Sequence, residues 1–484
     1  MKPINLTSDF KAGLNVALLA IPQGMAYALI AGLPLYYGLL ASGVAALIGG
    51  AIGGGKFITL GPTNATAVLL FGTFLQMKMV NAEGILSNSA LYILPSILLC
   101  TGIWLLIAGL FRISFLIKFI SRTVITGYIT AAAFLIIINQ LDSVLGLQDK
   151  LPLGINFFFS TFYILDNLSS FSISSLYLSG FTAISYYLLQ RRFKILPNVA
   201  ISLILGSLAG QFLVSQNYIV LCLRPFEPNL MPISILSFEL SLKYWEAILQ
   251  SSFAIALLCL IEGLSIGKSL ASKNGMRISS DREAISFGMA NLGCSFLSGM
   301  PASGSLTRSS LNVNSGAKSK FSNVFTGVFV FIGYFSLGKS VEWIPISVLS
   351  TLVVIIGLSL IKKNQLITAI KSSRSDGLTF AVTFFAGLIF SLQFAIFVGV
   401  LTSLLLFLKK VAEPEMTEHG YNDKGELTSI TKKSQSSQPE VSIVHVEGEL
   451  FFAAADLFYE QIRRSYDNPN VKVIILKLLN AHHL

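Results

Sequence analysis

The sequence predicts an α-helical integral membrane protein with about fourteen transmembrane segments, arranged as two inverted repeats of seven and followed by the start of a cytoplasmic α/β domain. Three features predict it: an apolar composition, an uneven distribution of Lys and Arg between alternate loops, and a repeated pattern at one offset. Of the 484 residues, 53% are hydrophobic and 12% are charged, and the mean hydropathy is +0.72. Since soluble domains carry about 25% charged residues, a soluble single-core protein is excluded.

The remaining composition excludes several functions. The net charge of +10 does not indicate nucleic-acid binding, because no basic run interleaves with aromatic residues and membrane proteins collect Lys and Arg in cytoplasmic loops. The four Cys have no metal-ligand spacing, so no metal site or cofactor is expected. All four His follow residue 418, which leaves the apolar part without the groups that a membrane-embedded enzyme needs.

Apolar segments fill residues 1–411, which we assign to the membrane domain. At about 20 residues per crossing, they divide into spans centred near residues 20, 44, 70, 101, 128, 181, 204, 255, 290, 311, 330, 353, 383 and 401. Residues 412–440 are polar and predict a linker or hairpin. Residues 441–484 alternate strand, helix and strand (441–448, 454–466 and 471–479), as at the start of a small α/β domain.

The charges orient this series of spans. With a cytoplasmic N-terminus, the inner loops hold most of the basic residues: Lys56, Arg112, Lys118, Arg122, Arg191, Arg192, Lys194, Lys268, Lys273, Arg277, Arg282, Lys318, Lys320, Lys362, Lys363, Lys371, Arg374, Lys409 and Lys410. The outer loops hold few: Lys78, Lys150, Arg224, Lys243 and Lys339. Positive residues mark the cytoplasmic side, so both termini are expected in the cytoplasm of a cell that carries the protein in its plasma or inner membrane.

A repeated pattern relates the two halves. Gln23-Gly24 and Glu262-Gly263 are 239 residues apart, as are Pro62 and Pro301. The offset corresponds to seven spans, an odd number, so the second half (about 243–411) is inserted upside down relative to the first (about 10–216). Inverted repeats of this kind are common in secondary transporters. The competing interpretation is chance similarity between Gly-rich apolar helices.

Both prolines lie in breaks rich in Gly and Ser or Thr, at Gly61-Pro62-Thr63 and Pro301-Ala302-Ser303-Gly304-Ser305. Irregular backbone at membrane depth is tolerated where it lines a cavity. We expect short half-helices to start at these breaks and to direct their free N–H groups at an anion. Thr63, Ser305 and Thr307 add hydroxyl donors, and Arg308 adds a fixed positive charge. The competing interpretation is close helix packing at small residues.

Glu262 lies near the middle of an apolar span, where a carboxylate indicates function. Three roles fit this residue: a proton acceptor for coupled transport, a partner of Arg308, or a cation ligand. Gln23 and Tyr27 share one helix face at a spacing of four residues and are candidate walls of the same site, although ordinary packing also explains Tyr27.

These motifs together identify a family resemblance. The segment Ile21-Pro22-Gln23-Gly24-Met25-Ala26-Tyr27, the Gly61-Pro62-Thr63 break and the stretch from Gly304 to Ser319 resemble the SulP anion transporters, the sulfate permease family, over essentially the whole chain. The resemblance implies a fold with core and gate domains and a homodimer. It also implies that residues 441–484 begin a STAS domain.

The resemblance places an anion site at Gln23, Tyr27, Thr63, Thr307 and Arg308, and it gives Glu262 a coupling role. Sodium-coupled bicarbonate members carry Asp at that position and a hydroxyl residue one turn later, where this chain has Ile266. We therefore expect a secondary active transporter that moves small inorganic anions by an elevator-like motion, foremost sulfate with H⁺ rather than Na⁺. The alternatives are bicarbonate, chloride, nitrate or dicarboxylate as substrate, a channel, and a nucleobase-type transporter.

Overall fold

The computed structural model describes residues 6–80, 86–112, 121–147, 157–193, 198–228, 233–273, 275, 278–390, 392–412, 415–421, 427–429, 440–449, 455–467 and 471–482. Four residues of the charge comparison lie outside this part of the chain: Lys118, Lys150, Lys194 and Arg277. The chain forms two compact units, Met1–Val400 and Leu401–Leu484. The division falls within a helix, earlier than the boundary at residue 411 that the composition suggests.

The first half of the membrane domain is a series of helices interrupted by one short strand. Its elements are α1 Leu6–Ile30, α2 Leu35–Ile52, β1 Leu60–Pro62, α3 Asn64–Gln76, α4 Asn88–Leu110, α5 Arg122–Leu145, α6 Phe157–Asp166, α7 Ile173–Arg192 and α8 Asn198–Ser215. The second half has the same plan: α9 Phe238–Lys243, α10 Trp245–Lys273, α11 Ser280–Phe296, β2 Ala302–Gly304, α12 Leu306–Asn314, α13 Phe321–Leu337, α14 Ile346–Leu360, α15 Lys363–Lys371, α16 Arg374–Ile389 and α17 Leu392–Ala412.

All fourteen predicted span centres fall within helices, and α6, α9 and α15 are additional. By length and apolar composition alone, seven described segments are able to cross a membrane, and four shorter apolar helices accompany them. Several of the helix starts are capped by a serine: Ser121 accepts from Thr123 at α5, and Ser373 accepts from Asp376 at α16. The fold is therefore that of a multi-pass α-helical membrane protein.

The packing of the helices shows the inverted repeat. Helix α2 packs against α13, and its counterpart α11 packs against α4; α1 contacts α12 and α13, and its counterpart α10 contacts α3 and α4. Strands β1 and β2 pair with each other in antiparallel register, with Gly61 opposite Ser303. Exchanging the two halves thus leaves these contacts unchanged, as an internal two-fold axis requires. Helices α1–α4 and α10–α13 form the core domain, and α5, α7, α8, α14 and α16 form the gate domain.

The second unit contains a four-stranded sheet in the order β4-β3-β5-β6. Its elements are β3 Glu415–Tyr421, β4 Leu427–Ser429, β5 Val441–Glu449, α18 Ala455–Tyr466 and β6 Val473–His482. Strands β5 and β6 are parallel with α18 between them, so the predicted strand, helix and strand are confirmed. Residues 412–440, predicted to be a linker or hairpin, contain β3 and β4, which pair in antiparallel register as the hairpin alternative expects, and β3 also pairs with β5. Composition did not indicate that β3 joins the sheet, because ladders form through backbone groups, which polar residues also supply.

Helices α1 and α2 approach each other at two glycines. A β-carbon built on Gly38 would overlap the carbonyl oxygen of Gly24, and one on Gly24 would lie 2.8 Å from that of Gly38. Contacts this short leave no room for a side chain at either glycine position. Small residues therefore set the distance between these two helices, one of which carries Gln23 and Tyr27.

We expect Gly38→Ala to force α1 and α2 apart and to destabilise the protein, because overpacking costs about 1–3 kcal/mol. The measurement is the melting temperature of the purified protein in detergent. Gly180→Ala in α7 is the matched control, since no atom lies within 4 Å of the position that a β-carbon would take there. Equal melting temperatures for the two variants would contradict the role of this contact.

Candidate functional site

Two helices start inside the core domain and face each other. Thr63 is the N-cap of α3, and its hydroxyl oxygen accepts from the N–H of Thr66. Ser305 is the N-cap of α12 and accepts from the N–H of Arg308. Strands β1 and β2 lead into these two caps and pair with each other, so both helix starts lie beside the same strand pair. The first N–H groups of each helix have no carbonyl partner within the helix and are available to a ligand.

The predicted starts of the half-helices need one correction. The caps Thr63 and Ser305 are 242 residues apart, whereas the two prolines are 239 apart. Gly61 and Pro62 lie in β1 and Gly304 ends β2, but Pro301 precedes β2 and lies four residues before the cap. Three additional residues thus separate the proline from the helix in the second repeat. The equal spacing of Pro62 and Pro301 in the sequence could not reveal this difference.

The third residue of each half-helix binds the proline carbonyl of the opposite break. Arg308 donates from Nη2 to the carbonyl oxygen of Pro62 at 2.6 Å, and Thr66 donates from Oγ1 to that of Pro301 at 3.2 Å. The internal symmetry therefore relates these two hydrogen bonds. The donor is neutral in the first repeat, where it is Thr66, and charged in the second, where it is Arg308. Arg308 is fully buried, and its Nε and Nη1 atoms have no hydrogen-bond partner among the described residues.

A polar stripe holds α12 in place. Its members are spaced along one face of the helix: Ser305, Arg308, Ser309 and Asn312. Ser309 Oγ accepts from the N–H of Thr59 at 3.0 Å, and Asn312 donates to Oδ1 of Asn323 at 3.2 Å. Asn323, on α13, also accepts from the hydroxyl of Thr59 at 2.7 Å. Sequence reasoning missed this network, although the spacing of Ser309 and Asn312 after Ser305 was visible as a signal.

Glu262 lies on α10 next to the start of α3. The hydroxyl of Thr63 donates to Oε2 of Glu262 at 3.2 Å. Within the part of the chain that is described, no ion pair of 4.0 Å or less joins Glu262 to Arg308, and the arginine instead binds the Pro62 carbonyl. The direct pairing that the sequence left open is therefore wrong for this conformation. Two consecutive residues of the first break therefore bind the two charged side chains: Pro62 binds Arg308, and Thr63 binds Glu262.

Two cavities meet at this site. The larger one, about 690 Å³, is lined by five of the seven predicted anion-binding and coupling residues: Tyr27, Thr63, Glu262, Ser305 and Thr307. The smaller one, about 400 Å³, is lined by Gln23 and shares Thr307, Ile356 and Ser359 with the larger cavity. Both lie between the core and gate domains. The larger cavity extends to Arg122 and Lys362, at the start of α5 and just beyond the end of α14.

Three further polar residues differ in their access to the two cavities: Arg308, Asn64 and Gln23. Arg308 lines neither cavity, and its guanidinium is buried beside Gly61 and Pro62 of β1, so its charge acts on the site through the protein. The side chain of Asn64, the first residue of α3, does line the larger cavity and was missed by sequence reasoning. It is 4% exposed, and neither its Oδ1 nor its Nδ2 has a hydrogen-bond partner among the described residues. Gln23 is likewise buried with Oε1 unpartnered.

The prediction that Ile266, one turn after Glu262, disfavours a sodium site also needs a qualification. Ile266 lines the larger cavity, as expected from its position, but Ser265 lines it as well. Ser265 follows Glu262 by three residues and therefore lies on nearly the same helix face. A hydroxyl group is thus present near the carboxylate even though Ile266 occupies the position that the resemblance emphasised.

The fold and the site define a multi-pass membrane protein with an internal inverted repeat and a cavity between two domains, the architecture of secondary transporters. The chain belongs to the sulfate permease family, whose model, described as "Sulfate permease family", matches residues 6–383. It is an anion transporter of that family, not an enzyme, and a small anion is its substrate.

Named relatives are similar over most of their length. The chain is 28% identical to "Sulfate transporter 3.1" of Arabidopsis thaliana, over 96% of this chain and 72% of the relative. It is 23% identical to "Putative sulfate transporter YvdB" of Bacillus subtilis, over 98% of this chain and 86% of the relative.

Solved structures show the same fold. Murine solute carrier 26 family member A9, in the inward-facing state, matches with a TM-score of 0.85 at 22% identity, over 100% of this chain and 82% of that chain. The transmembrane domain of the cyanobacterial bicarbonate transporter BicA matches with a TM-score of 0.70 at 19% identity, over 84% of this chain and 97% of that chain.

Gly61→Ala tests the position of Arg308. A β-carbon on Gly61, whose φ is +154°, would lie 2.7 Å from Nη1 of Arg308 and would displace the guanidinium. We expect labelled sulfate uptake by reconstituted protein to fall about tenfold or more, because a hydrogen bond to a charged group contributes about 1.5–3 kcal/mol.

Gly72→Ala in α3 is the control, since no atom lies within 4 Å of the corresponding β-carbon position. Size-exclusion chromatography establishes that both variants are folded and monodisperse. Uptake by the Gly61 variant that equals uptake by the Gly72 variant would contradict a functional role for the position of Arg308.

Proposed function

We propose that the protein is a secondary active transporter of sulfate that couples sulfate movement to protons. The observation that carries the proposal is the meeting of two helix starts and a half-buried carboxylate at one cavity, with a fully buried arginine behind it. The family and the printed names of the relatives in Arabidopsis and Bacillus support sulfate as the substrate.

The anion lies between the starts of α3 and α12 in this proposal. Thr63, Ser305 and Thr307 line the cavity there, and their hydroxyl groups can donate to anion oxygens. The first N–H groups of the two helices add donors, and the helix dipoles add a positive potential. Arg308 raises this potential from its buried position beside β1. Gln23 and Asn64 contribute amide groups that have unpartnered atoms.

Glu262 supplies the coupling. An ionised carboxylate near the helix starts repels an anion, so protonation of Glu262 favours anion binding. The Thr63 hydroxyl, which donates to Glu262 and caps α3, links the protonation state to the helix that faces the anion. Proton and sulfate therefore enter and leave the site together, which is symport.

Two alternatives have specific support. Ser265 beside Glu262 provides a second oxygen for a sodium ion, which would replace the proton as coupling ion. Bicarbonate carries a hydroxyl group that can donate to Glu262 or to a side-chain amide oxygen, whereas sulfate has only acceptors, and the fold is that of a bicarbonate transporter domain. Chloride, nitrate and dicarboxylates are the other substrates that an anion transporter of this family could carry instead of sulfate.

The remaining parts of the proposal concern movement and location. The core domain moves against the gate domain in an elevator-like cycle, and the cavity that reaches Arg122 and Lys362 opens to the cytoplasm. Both termini are cytoplasmic, the membrane is the plasma or inner membrane, and the protein is a homodimer. Residues 441–484, with the sheet and helix of the second unit, belong to a STAS domain that follows membrane residues 1–411.

Radiolabelled sulfate uptake into proteoliposomes tests this function. We expect an inward proton gradient to drive uptake by the wild-type protein. Glu262→Gln removes the titrating group, so the gradient-driven part of uptake should disappear while exchange of sulfate for sulfate continues. Glu246→Gln, an exposed residue on the same helix, is the matched control and should retain proton-driven uptake.

Sodium-driven uptake would keep the site but replace the coupling ion. Bicarbonate uptake without sulfate uptake would replace the substrate. Full proton-driven sulfate uptake by the Glu262 variant would overturn the coupling role of this residue.

A further inference from the structure

We propose that α15 is a membrane-surface helix that binds anionic lipid headgroups and thereby links the composition of the bilayer to the mouth of the transport cavity. Helix α15 connects α14 and α16 at one end of the membrane unit, and it packs against α5 and α16. Its sequence KNQLITAIK contains no acidic residue.

One side of α15 lines the cavity. The residues that do so are close together on the helix surface: Asn364, Gln365, Thr368 and Ala369. Lys362, immediately before the helix, and Ser372, immediately after it, line the same cavity. A helix turns about 100° per residue, so these four helical positions occupy one side of α15. The helix is therefore part of the cavity wall at its outer end.

The opposite side is apolar, basic and exposed. Lys363, Ile367 and Ile370 are spaced by four and three residues and share one face. Ile367 is 42% exposed and Ile370 is 52% exposed, and Lys363 is also exposed. Lys371 is exposed at the edge of this face. The face thus combines apolar side chains with cations and is directed away from the cavity.

This combination fits a bilayer surface. Amphipathic helices with apolar and basic residues lie at the boundary between headgroups and acyl chains, and long Lys side chains extend from that boundary to the headgroup phosphates. Charge complementarity selects anionic headgroups, because basic residues near an anionic surface are attracted to it. Helix α15 follows α14 after two residues, and the two helices together make up one candidate membrane span, Ile346–Lys371, so the more polar α15 lies at the end of that span.

The two faces of one short helix explain how lipid affects transport. Headgroups that bind Lys363 and Lys371 hold α15 at the surface, and this fixes Lys362 and Asn364 at the cavity mouth. A bilayer without anionic lipid leaves that cationic face uncompensated, and α15 is held less firmly. Anion passage through the mouth should then slow. This effect of lipid on anion passage rests on the proposed function, whereas the binding of lipid to α15 does not.

Binding is tested without transport. The full chain is reconstituted and labelled with photoactivatable phosphatidylglycerol or with photoactivatable phosphatidylcholine, and peptide mass spectrometry measures labelling of residues 362–374. We expect phosphatidylglycerol to be preferred. Lys363→Gln with Lys371→Gln should lower this preference about 25-fold, because each Lys near an anionic surface contributes about fivefold.

The control is Lys243→Gln with Lys339→Gln, which removes the same charge from two exposed residues that are distant in sequence from α15. Equal labelling by the two lipids would overturn the proposal, as would protection from both, since another protein surface would then cover the face. A preference that persists in the Lys363 and Lys371 variant would also overturn it.

The transport arm compares sulfate uptake in phosphatidylcholine vesicles with and without phosphatidylglycerol. We expect phosphatidylglycerol to accelerate uptake by the wild type and by the control, but not by the Lys363 and Lys371 variant. An acceleration that is equal in all three proteins would contradict the link to the cavity mouth. Absence of sulfate uptake in every vesicle would contradict the proposed substrate and would leave the labelling result to decide lipid binding.

Discussion

The structure depends on one constraint: backbone polar groups buried in a membrane protein must find partners, yet two helices of this protein begin inside its core domain. Strands β1 and β2 meet this constraint by pairing with each other just before the helix caps Thr63 and Ser305. The N–H groups of the first two residues of α3 and of α12 have no carbonyl partner within their own helices, and these residues line one cavity. The groups that would destabilise an ordinary membrane helix are thus collected at a single point, where an anion can satisfy them.

The two charged groups near this point are held apart by the same backbone. The Pro62 carbonyl binds Arg308 and the adjacent Thr63 hydroxyl binds Glu262. Neither charge therefore neutralises the other by direct contact, and each remains able to act on a third group. A directly paired arginine and glutamate would have been a structural element only. In the proposed function, this separation leaves Arg308 free to favour an anion and Glu262 free to take up a proton.

Much of this could be predicted from the sequence, because its signals are local. Apolar length predicted the helices, and Gly61, Pro62 and Thr63 predicted the break. The register of the second break could not be predicted from Pro301, since three additional residues precede the α12 cap. The roles of Thr59 and Asn323 depend on contacts between residues 264 positions apart, which no local pattern reports. The pairing of β3 with β5 was not predicted, because the residues of β3 are polar and composition does not report backbone ladders.

Anion binding between the starts of α3 and α12 is the step on which transport depends in this proposal. The most direct measurement is anomalous X-ray diffraction from crystals of the protein soaked with selenate, which replaces sulfate and scatters anomalously at selenium. We expect a selenium peak between the helix starts, placed so that the selenate oxygens accept hydrogen bonds from the N–H groups of Asn64 or Ala65 and of Leu306 or Thr307. A selenium peak only at Arg122 and Lys362, with none between the helix starts, would contradict this binding site.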